Sequence, residues 1–212
     1  MGYAKPTDNL RHTLRGATAS AHDLLDGTMR AAAGWASRDD YARFLSLQYA
    51  ARLPVETWLA DNAPADLNPP AQASLIAQDL VELGEPVPAS ASPFDLPVPA
   101  VEAAEVTRAE ALGAAWVLAG SSLGNRAILA EVRRAAEQNA QPLWPTRFLS
   151  DAAMLDFWKG LRTQLEGSAD IEDVERATCA AAAVFEHFIA HAQTSQDGSG
   201  GVPEAAQTHR TP

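Results

Sequence analysis

The 212-residue chain is 47% hydrophobic and 20% charged, with a formal net charge of −11. That length and apolar fraction suit one domain with its own core, and the acidity argues against non-specific attraction to nucleic acid. No run of about 18 apolar residues is present to span a membrane. Residues 1–9 lack the apolar centre of an export signal, and the lone Cys179 allows no internal disulfide, so a cytoplasmic protein is expected.

Helix signals dominate the chain. Thr7 or Asp8 is expected to cap a first helix that runs to about Ala33. Ser37 to Asp40 reads as a capping box that opens a second helix, with a kink or break expected at Pro54 and Trp58 and Leu59 beyond it. A third helix over Ala71 to Leu83 buries Leu75, Ile76, Leu80 and Leu83 and stops at Gly84. Five prolines between Glu85 and Ala100 make an irregular crossover. A fourth helix is expected from near Val101 to Ala140, a fifth over Leu149 to Leu165, and a sixth from an Asp170 cap to Ala192. No alternating strand pattern appears, so the expected fold is all-α, with one domain over 1–192 and a disordered tail over 193–212.

Two places combine unusual residues. At about 100° per residue, Leu14, Thr18, Ala21, His22 and Leu25 share one face of the first helix, which sets an imidazole among apolar neighbours. A hundred residues on, Gly120 and Gly124 interrupt a good helix, each costing about 1 kcal/mol relative to Ala. Taken singly, a helix-face His is an ordinary hydrogen-bonded side chain and a glycine pair allows close helix packing. Together they suggest an iron-ligating imidazole opposite a helix whose backbone admits a flat macrocycle. Ser121, Ser122 and Asn125 then offer groups that could hold water. Arg11, Arg15 and Arg30 cluster on the first helix, and Arg126, Arg133 and Arg134 follow the glycine pair. His187 and His191 have chelating i,i+4 spacing without a third donor and read as helix residues. Cys179 reads as a small residue on an alanine-rich helix face. No P-loop, dinucleotide glycine motif or Ser-His-Asp order is found.

The stretch from Leu10-Arg11 through Ala17-Thr18, Ala21-His22 and Asp23-Leu24-Leu25-Asp26 resembles the proximal helix of haem oxygenases. Gly120-Ser121-Ser122-Leu123-Gly124 is similar to the bacterial distal motif Gly-Ser-x-Leu-Gly-Gly, and Asp79 to Gly84 to the family's Asp-Leu-x-x-Leu-Gly. Arg147-Phe148-Leu149-Ser150, Trp158 and Leu165-Glu166 share the family spacing, so the resemblance runs from about Asp8 to Ala190. It implies a single multi-helical domain with haem between the first helix and a kinked distal helix. The implied activity is the opening of haem by dioxygen and electrons to biliverdin, carbon monoxide and iron, with a reductase or ferredoxin as donor. His22 would be the iron ligand, Arg15 and Lys159 would meet propionates, and Gly120, Ser121, Gly124 and Asn125 would form the distal wall. Asn125 departs from the motif's last glycine, and Ala119 stands where many bacterial relatives have Glu. The alternatives are a haem-binding protein of this fold without turnover, a cofactor-free helical interaction module, and a thiaminase-type hydrolase, which would need a better nucleophile than Cys179.

Overall fold

In a computed structural model, residues 9–89, 93–97, 106–139, 143–167 and 169–198 are described. They form seven α-helices and one 3-10 turn, with no strand among them. The helices are α1 (Leu10–Ala32), α2 (Arg38–Asn62), α3 (Ala73–Glu82), α4 (Arg108–Gln138), α5 (Arg147–Ser150), α6 (Ala153–Leu165) and α7 (Ile171–Gly198). The 3-10 turn covers Ala65–Leu67.

Local chemistry sets most of the boundaries. Asn9, rather than Thr7 or Asp8, caps α1 by accepting from the Arg11 N–H at 2.9 Å. Ser37 and Asp40 form the expected box at the start of α2. Thr107 and Glu110 form a second box, which starts α4 near residue 108 rather than 101. At Gly84, φ is 73°, so the left-handed stop after α3 stands as expected. Pro54 does not break α2, which is one helix from Arg38 to Asn62. Its side chain is buried, and packing on both sides outweighs the one lost backbone bond. The expected fifth helix is divided, because Asp151 accepts from the Ala153 and Met154 N–H groups and starts α6 afresh. α7 runs to Gly198, beyond the expected end at Ala192. The first residues of the expected tail are thus helical, and 199–212 lie outside the described residues, as do 90–92 and 98–100 of the proline-rich crossover.

The packing is organised around α7. Both α1 and α4 lie along it, without substantial packing on each other. One apolar cluster joins α1, α4, α6 and α7 through Leu14, Leu118, Trp158, Leu161, Val184 and Phe185. A second joins α2, α3, α5 and the far half of α4 through Tyr41, Leu45, Ile76, Leu80, Val132 and Phe148. At Gly113 an added Cβ would run into the Ala177 backbone, so this glycine sets how closely α4 approaches α7. Between the clusters, carboxylates of one helix satisfy the start of the next. Glu56 of α2 accepts from the Gln72 and Ala73 N–H groups at 2.9 and 3.1 Å, where α3 begins without a side-chain cap of its own. Asp79 of α3 accepts from the Arg147 and Phe148 N–H groups at 3.1 and 3.0 Å, where α5 begins.

Candidate functional site

Leu14 and Thr18 are buried against α7, with Ala21 and Leu25 half-buried beside them. At about 100° per residue, Thr18, Ala21 and Leu25 lie within about 40° of Leu14, whereas His22 and Arg15 lie about 80° and 100° round. The structure therefore corrects the expectation that His22 sits among apolar neighbours. Its side chain is 60% exposed at the margin of that face. Asp26, one turn on, sets a carboxylate oxygen 3.5 Å from His22 Nδ1. Nε2 has no protein partner among the described residues. A carboxylate beside one ring nitrogen and an open second nitrogen is how proteins prepare a His to ligate a metal. The i,i+4 spacing of His22 and Asp26 was the available signal for this pair.

From His22 a line of rings crosses to α4. The imidazole meets Phe185 of α7 edge-on at 6.0 Å between centroids, and Phe185 meets Trp116 of α4 at 6.4 Å. One turn beyond Trp116 is Gly120, where an added Cβ would lie 3.9 Å from Trp158 of α6; at Gly124 it would meet nothing within 4 Å. Helix packing thus accounts for Gly113 but gives Gly124 no reason to lack a side chain. Gly16, Gly27 and Gly160 are equally open; what sets the pair apart is that it follows Trp116 of the ring line by one and two turns of α4. Leu123, 53% exposed, flanks the two glycines with unpartnered apolar surface.

The four distal residues do not face one way. α4 stays helical throughout, and Gly120 and Gly124 lie about 40° apart on one face of it. Asn125 falls about 140° round from Gly120 and is buried with Ser122 on the core side. The extra side chain thus enters the core instead of crowding the glycine face. Ser121 turns toward α2, accepting a hydrogen bond from Arg52 at 2.8 Å and donating to the Leu118 carbonyl at 2.7 Å.

Arg15 lies on the same side of α1 as His22, exposed and without an ion pair among the described residues. Arg11, another turn back, reaches Glu166 beyond α6 at 4.0 Å. Lys159 follows Trp158 on α6, exposed and paired with Asp156 at 2.7 Å. His187 sits on Phe94 and contacts the Ala51 carbonyl at 3.1 Å, and His191 contacts the His187 carbonyl at 2.9 Å. No cluster of three metal-ligating side chains exists among the described residues. Cys179 is exposed.

These residues fit a haem: an open imidazole nitrogen, an aromatic floor, a helix face without side chains and a free cation at the rim. No protein-family model matches the chain. It is 30% identical over 178 residues to heme oxygenase PigA of Pseudomonas aeruginosa, which covers 81% of this chain and 85% of that protein. The chain belongs to the haem oxygenase family. Its fold matches the NO- and CO-bound heme oxygenase of Neisseria meningitidis with a TM-score of 0.65 at 21% identity, over 97% of this chain and 100% of that one.

Proposed function

We propose that this protein binds one haem between α1 and α4 and opens it, with dioxygen and electrons, to biliverdin, carbon monoxide and iron. What supports the reading is the line of rings from His22 through Phe185 to Trp116, which stands one turn before Gly120 on α4. Bound haem supplies the iron at which dioxygen is activated and is itself the substrate. His22 Nε2 holds that iron, with Asp26 keeping the ring oriented through Nδ1. Arg15 meets a propionate at the haem edge, with Lys159 as a second cation. Gly120 and Gly124 would leave room for haem against the α4 backbone, and Ser121 would hold that stretch in place. Asn125 supports it from the core side. The electrons come from a separate reductase or ferredoxin in the cytoplasm. No described helix is long and apolar enough to cross a membrane.

The test is a visible spectrum of the haem-loaded protein before and after reduction in air. Loss of the Soret band with the rise of a biliverdin band is expected. A Soret band that persists would favour a haem-binding protein without turnover. No haem uptake at all would overturn both readings.

A further inference from the structure

Arg52 of α2 has no exposed surface. Its Nη2 donates to Ser121 Oγ at 2.8 Å, and its guanidinium lies over the Phe148 ring at 5.4 Å. Glu56 balances its charge from 3.9 Å. The Glu56 oxygens, however, are occupied by the Gln72 and Ala73 N–H groups. Arg52 Nε and Nη1 are buried with no hydrogen-bond partner among the described residues. Stability alone is a poor reason for such a group, because apolar replacements of buried ion pairs are often neutral or stabilising. Its one direct hydrogen bond among the described residues goes to Ser121, the first of the three residues between Gly120 and Gly124.

We propose that Arg52 is a positioning residue for haem opening: through Ser121 it fixes the height and rotation of the Gly120–Gly124 stretch over the haem plane, and so helps decide which edge of the ring is opened. The proposal rests on the reading that haem binds between α1 and α4. Arginine suits the task because its planar fork holds one geometry, whereas a lysine ammonium supplies only a point charge. Ser121 transmits the constraint because its hydroxyl also donates to the Leu118 carbonyl of its own helix.

The variants are Arg52→Met, Arg52→Lys, Ser121→Ala and the double change Arg52→Met with Ser121→Ala. For each, haemin affinity, the visible spectrum of the ferric complex, the biliverdin isomer ratio and the apoprotein melting midpoint are measured. Ser121→Ala and Arg52→Met are expected to weaken haemin binding by about three- to tenfold, less than the full worth of a shielded charge-assisted hydrogen bond because the bond acts on haem only through the α4 backbone. They should also shift the ferric spectrum and isomer ratio, with the double variant no worse than the more affected single one. Arg52→Lys should keep the melting midpoint better than the spectrum. If Arg52→Met does not fold, Ser121→Ala decides the matter. Wild-type spectrum, affinity and isomer ratio in Ser121→Ala would overturn the proposal, whatever happens to the melting midpoints. Wild-type protein that takes up no haemin would overturn the haem reading itself, a result distinct from haem-binding wild type with indifferent variants.

Discussion

His22 Nδ1 faces Asp26, which leaves Nε2 as the iron donor of the proposed site. Replacing His22 by Ala is expected to remove the spectrum of a His-ligated haem while leaving some haemin bound, since apolar walls retain the macrocycle. An unchanged Soret band would show that another residue holds the iron. Asp26→Ala should leave ligation in place but broaden or shift the Soret band, because the ring loses its second restraint. At the rim, Arg15→Glu puts a carboxylate where a propionate is expected. A charge-assisted hydrogen bond is worth roughly 1.5–3 kcal/mol when shielded and less when wet, so a loss of a few-fold to about tenfold in affinity is expected at this exposed position. A changed isomer ratio should accompany it. Equal affinity and an equal ratio would remove Arg15 from the site.

Among elements, α4 carries two kinds of glycine that substitution should separate by sign. Gly113→Ala forces a methyl into the Ala177 backbone and should destabilise the apoprotein by about 1–3 kcal/mol, as overpacking does. Gly124→Leu meets no protein atom and should leave the apoprotein as stable or more stable by about 0.5–1 kcal/mol, while haemin binding or biliverdin yield falls. Thermal midpoints and haemin titrations of both variants test this, and a stable, fully active Gly124→Leu protein would reduce the glycine to a surface residue. Much of this was legible in the chain, because caps and periodicity are local. Ser37 with Asp40, Asp170 and Gly84 act where their spacing indicates. For the proposed site, helical spacing sets Gly120 and Gly124 on one face of α4, but it set His22 among apolar neighbours, where the structure leaves it exposed at their margin. What depends on neighbours was not legible. Gly113 looks like any helix glycine until Ala177 is opposite it, and Arg52 looks like a surface cation until α4 and α5 close over it. The continuity of α2 through Pro54 likewise depends on its packing.

For the molecule as a whole, acid acts first through His187. Burial, then the neighbouring His191, pulls its pKa from 6.5 to about 4, against the Ala51 carbonyl that favours the charged ring. A base whose pKa is lowered by folding stabilises fully above its unfolded value, and that contribution is lost as pH falls from 6.5 toward 4. Discounted for partial exposure, the loss should be about 1–2 kcal/mol. Burial holds Glu56 and Asp79 above the usual carboxylate range, and they act in the opposite sense as pH falls. The difference in unfolding free energy between wild type and His187→Gln isolates the histidine; a difference that stays flat over that range would exclude it. The carboxylates that join successive helices also bear on how the chain assembles. α3 has no side-chain cap at its own start, and α5 is a single turn that relies on Asp79. Neither helix has enough local stability to persist alone, so each waits for its predecessor: α2 must be in place before α3 begins, and α3 before α5. Amide protons at the start of α5 should therefore be protected no better than those at the start of α3, and Glu56→Gln should speed exchange at both. In that sense this half of the molecule opens as one latch, sprung from Glu56, on the same helix that reaches Ser121 through Arg52.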